Sequence, residues 1–62
     1  MTPYIHKKTD NLYWVTERFK FKLPIIGIWI GFVKYRSEKD NALYCRLERD
    51  FNKNFYEVKS FL

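Results

Sequence analysis

From Leu12 to Leu23 the chain reads LYWVTERFKFKL, an alternation with a period of two. Only an extended strand sends successive side chains to opposite faces at that period, so this stretch restricts the fold more than any other. One face carries Tyr13, Val15, Glu17, Phe19, Phe21 and Leu23, and is expected to meet a core. The other carries Leu12, Trp14, Thr16, Arg18, Lys20 and Lys22, and is expected to point outward. Pro24-Ile25-Ile26-Gly27 then reads as a four-residue connection, with Pro fixing φ and Gly free to take φ > 0. A second strand, Ile28–Arg36, returns along the first.

Pairing Leu23 with Ile28 sets the register of this hairpin. Phe21 then faces Ile30, Phe19 faces Phe32, and Glu17 falls opposite Lys34, a favourable cross-strand charge pair. On the outer side Lys22 meets Trp29, Lys20 meets Gly31, Arg18 meets Val33 and Thr16 meets Tyr35. A slip of one residue would mix the two faces. The apolar run Leu23–Val33 spans eleven residues, against about 20 for a membrane-spanning helix. Pro24, Gly27 and Gly31 also interrupt it. A membrane role is therefore disfavoured, with surface attachment its remaining form.

Beyond Ser37 two readings stand. In the first, SEKDN is a loop and Ala42–Phe51 a strand with Leu43, Cys45, Leu47 and Phe51 inward. A turn at Lys53-Asn54 then leads to a last strand, Phe55–Leu62, with Glu48 opposite Lys59. In the second, Ser37-Glu38-Lys39-Asp40 resembles a capping box and opens a helix over Glu38–Phe51. That helix gathers Leu43, Tyr44, Leu47 and Phe51 on one face and covers the sheet. At the other end Pro3–Lys8 reads as a short edge strand and Thr9-Asp10-Asn11 as a turn, with residues 1–10 otherwise mobile. The fold expected is mainly β: a small antiparallel sheet of three to five strands in a meander. Its alternative is an α+β arrangement with one helix at about 38–51 packed on the sheet.

Sixty-two residues make one small domain, and a chain of this length buries only about 60% of the surface exposed when unfolded. Cys45 is the only cysteine and has no partner in the chain, which points to a reducing, cytoplasmic setting. Stability is expected to come from the thirteen aromatic residues. The opening MTPYIHKKTD has neither the apolar segment nor the cleavage site of a secretory signal. The chain reads as a complete small product. Phe, Tyr, Ile, Asn and Lys supply 28 of the 62 residues; their AT-rich codons suit a phage or mobile element.

The net charge of +5 has one source. Arg18, Lys20, Lys22, Lys34 and Arg36 lie in a segment with no acid, while elsewhere seven basic residues balance seven acidic ones. A merely solvated charge run is one reading, and confinement of the charge to one segment shifts the balance modestly towards an anionic partner. No spacing of Cys, His, Asp or Glu suits zinc or calcium, and no glycine-rich phosphate loop is present. His6 stands alone, Cys45 reads as a small packing residue, and most carboxylates have a Lys or Arg nearby. The chain is thus read as a non-enzyme without a cofactor.

The residues expected to meet a partner are Trp14, Arg18, Lys20, Lys22, Trp29, Tyr35 and Arg36, on or beside the outer face of the hairpin. Exposed Trp, Tyr and Arg are the residues of protein interface hot spots. The first function expected is therefore a basic accessory protein that binds and inhibits a host macromolecule, a protein above all. The alternative is a single-stranded DNA or RNA binder. Same-face residues about 6.6 Å apart can follow a row of phosphates, and the aromatics can stack bases. A free edge strand also leaves room for a homodimer.

Overall fold

The computed structural model describes residues 1–59. The strands are β1 (Thr2–His6), β2 (Leu12–Lys22), β3 (Trp29–Ser37), β4 (Leu43–Leu47) and β5 (Phe55–Glu57), with one helix, α1 (Glu48–Asn54), before β5. They form a single antiparallel sheet in the order β4-β3-β2-β1-β5. The first four strands run as a meander. The chain then crosses through α1 to lay β5 beside β1. β1 consequently lies inside the sheet rather than at its edge.

The three hairpins close with the same turn. In each, four residues separate two paired positions and the fourth adopts a left-handed conformation: Asp10 (φ 61°), Gly27 (φ 66°) and Asn41 (φ 62°). The flanking amides repeat as well. Leu23 N donates to Ile28 O and Gly27 N to Leu23 O, both at 2.8 Å. His6 with Asn11 and Asp10, and Ser37 with Ala42 and Asn41, do the same at 2.8–3.0 Å. Gly, Asn and Asp tolerate that conformation best, and each occurs where the turn demands it.

The β2–β3 register is the expected one from Lys22↔Trp29 to Glu17↔Lys34, and then changes. Val15, not Thr16, lies opposite Tyr35, because β2 carries one extra residue between Val15 and Glu17. Such a bulge exchanges the two faces of a strand on either side of it. Thr16 steadies it by donating from Oγ1 to Lys34 O at 3.1 Å. Tyr13 and Val15 therefore share a face with Arg18, Lys20 and Lys22. Trp14 shares the opposite face with Glu17, Phe19 and Phe21.

This exchange overturns the expected core in part. The buried cluster is Val15, Val33, Tyr35, Phe51 and Phe55, with Tyr4 and Tyr13 packed against it. Tyr13, Val15 and Phe51 pack inward as expected, but Val33 and Tyr35, read as outward, are buried and Phe19 and Phe21 do not join the cluster, because α1 covers the other side. Phe51 stacks on Phe55 with ring centroids 4.2 Å apart, and Tyr4 sets its edge against Phe51 at 5.0 Å. Arg46 completes the cluster. Its Nε donates to Tyr35 Oη at 2.8 Å, its Nη1 to Asp50 Oδ2 at 2.9 Å, and its guanidinium lies over Phe55.

Residues 38–51 divide between the two readings. Ser37 is buried at the end of β3, and Glu38–Asn41 form a turn rather than a helix start. β4 is extended, yet Leu43, Cys45 and Leu47 face away from the core and are exposed. Cys45 is thus not a packing residue. The helix begins only at Glu48 and buries Phe51. No turn at Lys53-Asn54 pairs Glu48 with Lys59, since β5 pairs with β1. The expected end of the last strand, residues 60–62, lies outside the described residues.

Candidate partner-binding arm

β2 has eleven residues and β3 nine, but their neighbours are shorter. β1 pairs with β2 only over Leu12–Val15, and β4 pairs with β3 only over Phe32–Arg36. The remainder of the hairpin, residues 20–31, is a two-stranded ribbon whose edges are both open among the described residues. It extends along a molecule measuring 45 × 20 × 20 Å. An isolated hairpin is marginally stable in water, and this one is anchored at its base by aromatic packing. Phe19 stacks on Phe32 at 5.5 Å and Phe21 sets its edge on Phe32 at 5.6 Å.

The tip is apolar. Ile25 is 96% exposed, and Ile26, Ile28 and Leu23 are also exposed. Behind it the side facing α1 carries Lys20 and Lys22 from β2 and Trp29, 61% exposed, from β3. The other side carries Phe19, Phe21, Ile30 and Phe32. A hollow of about 330 Å³ opens beside Trp29 where β4 ends and the edge of β3 becomes free, with Glu48 and Arg49 on its far wall.

Of the seven residues expected at the site, Lys20, Lys22 and Trp29 are brought together on the arm. Arg18 shares their face but is engaged at the base. It donates to Glu48 Oε2 at 3.1 Å and to Tyr4 Oη at 2.8 Å, and its guanidinium lies over the Tyr4 and Phe51 rings. Tyr35 is 2% exposed and belongs to the core. Trp14 and Arg36 form a cross-strand pair on the opposite face, at the end away from the tip. Trp14 Nε1 donates to Glu38 Oε1 at 3.4 Å, and Arg36 donates to Asn41 Oδ1. The space beside Gly31 is filled by Glu48, whose Oε1 lies 2.9 Å from where a Cβ would stand.

Ile25 and Ile26 were missing from the expected set. The signal for them lies in the sequence, because the central residues of a turn face solvent and rarely carry two isoleucines. Burial pushes the Tyr35 phenol above its ordinary pKa, against a lowering by the Arg46 hydrogen bond. The Ala42 amide, donating to Asp40 Oδ1 at 3.1 Å, holds that carboxyl below its ordinary value. Both groups are structural.

Among the described residues no group of three or more His, Cys, Asp or Glu side chains could hold a metal ion. No helix among them is long and apolar enough to cross a membrane. Comparison with protein-family models, curated proteins and solved structures finds no match for the chain.

Proposed function

We propose that the chain is a small non-enzymatic binding protein that engages a host protein through the β2–β3 arm and inhibits it by occupying its surface. The observation that carries this reading is the projecting tip, whose Ile25, Ile26 and Ile28 side chains are left largely in water by the described residues. Exposed apolar surface of this kind marks an interaction site. A protein suits it better than nucleic acid, because a ribbon with open edges can also add to another protein's sheet. Trp29 supplies a large anchor, and Lys20 and Lys22 favour an acidic rim around the partner's pocket. Lone, exposed Cys45 suits a reducing, cytoplasmic setting.

A photo-crosslinking residue at position 25 tests the proposal, since so exposed a side chain can be exchanged without disturbing the core. In cells of the native host it is expected to yield one discrete protein adduct that survives nuclease. A nuclease-sensitive adduct would establish the nucleic-acid reading instead. Absence of any adduct would overturn the proposal.

A further inference from the structure

The face of the sheet turned away from α1 is apolar, balanced in charge at its centre, and covered by no described residue. Phe19, Phe21, Ile30 and Phe32 stand on it from the hairpin, and Leu43, Cys45 and Leu47 from β4. The stacked phenylalanines make it a preformed surface rather than a set of loose side chains. Phe21 is 57% and Leu43 64% exposed. With roughly 150–250 Å² on each aromatic side chain, the patch leaves several hundred Å² of apolar area in water. Monomeric proteins seldom leave more than that in one place.

We infer that this face is the interface of a homodimer, in which a second copy of the chain covers it about a twofold axis. Three observations select a second copy over a foreign partner. The first is where the charge lies. Arg18, Lys20, Lys22 and Arg46 stand on the α1 side of the sheet, while Lys34, paired with Glu17, and Arg36, bonded to Asn41, stand on the apolar face, so two chains of net charge +5 can join with most of these basic groups pointing apart. Sheets packed face to face are about 10 Å apart, comparable to the screening length at physiological salt.

The second is self-complementarity. Glu17 and Lys34 lie side by side in the middle of the face, 4.0 Å apart and both exposed. They line a shallow depression of about 610 Å³ together with Phe19, Leu43 and Cys45. A twofold axis between the sheets, parallel to the strands and passing near that pair, sets Glu17 of each copy against Lys34 of the other. The third is the size of the core. Among the described residues five hydrophobic side chains are buried, few for a domain whose one cysteine cannot form an internal disulfide, and oligomerisation is a common remedy in small chains. The tip and the Trp29 side remain free in such a dimer. The inference therefore stands apart from the proposed function and can fail without it.

Sedimentation velocity of the purified chain up to about 100 µM tests it. The wild type is expected to sediment at twice the chain mass. Glu17→Lys and Lys34→Glu are each expected to weaken the dimer by about tenfold or more through like-charge contact across the axis. A mixture of the two variants should restore it, because opposite faces then meet. Cys45 should react with a thiol reagent faster in either variant alone than in the wild type. Circular dichroism confirms that the variants, both at exposed positions, remain folded. A wild-type chain that stays monomeric at the highest concentration overturns the inference. So does a dimer that survives both charge reversals and Phe21→Ser, which would locate the contact at an edge strand.

Discussion

Single atoms decide much of this small protein. Gly31 lies close against Glu48, whose Oε1 would stand 2.9 Å from a Cβ there, and the same Glu48 receives Arg18 at 3.1 Å. Gly31→Ala should displace the flexible Glu48 carboxylate from Arg18 and cost no more than about 1 kcal/mol, the worth of a partly exposed ion pair. In a Glu48→Ala background the same substitution should cost much less, and a double-mutant cycle by thermal melting measures the difference. Tyr35 carries a pH dependence. Its pKa is raised in the folded state, so the folded chain holds the phenol proton more tightly than the unfolded one. The stability this brings is intact below about pH 10, the ordinary tyrosine value, and is lost as pH rises through the folded value. Tyr35→Phe should reduce that alkaline loss in melts from about pH 9 to 11. At neutral pH it should cost about 1.5–3 kcal/mol, through the lost bond to charged Arg46.

At the scale of elements, the hairpin was legible in the sequence and the side it buries was not. Alternation and the PIIG turn determine the register from Lys22↔Trp29 to Glu17↔Lys34, since a one-residue slip would split the phenylalanines of the two strands between opposite faces. Thr16 breaks the pattern silently. An inserted residue leaves the local sequence looking alternating, and only the position of α1 reveals which face is covered. The helix itself was half legible, because Phe51 belongs to an apolar face on either reading, whereas seven residues from Glu48 to Asn54 are too few to nucleate alone. Deleting Thr16 should put Tyr13 and Val15 on the wrong face and abolish the cooperative unfolding transition. The shared turn predicts another series. Alanine at position 10, 27 or 41 should each cost about 1 kcal/mol, the left-handed penalty, while Asp10→Gly should cost nothing measurable by denaturant titration.

At the scale of the molecule, the chain divides into a core on one face of a curled sheet and an arm that extends past it. The shared face of Lys20, Lys22 and Trp29 was legible because they lie beyond the bulge, where simple alternation holds. Tyr35 was misplaced because α1 covers its face, and Trp14 because the bulge turns it. The tip of the arm is proposed to bind a partner and to contribute little to folding. The most direct measurement is capture from a host lysate by the wild type and by an Ile25→Asp, Ile26→Asp variant, with urea titration of both proteins alongside. The account predicts that the two unfold within about 0.5 kcal/mol of each other, as surface substitutions do, while the variant loses the captured protein. Equal capture by both, or a variant that no longer folds, would contradict it.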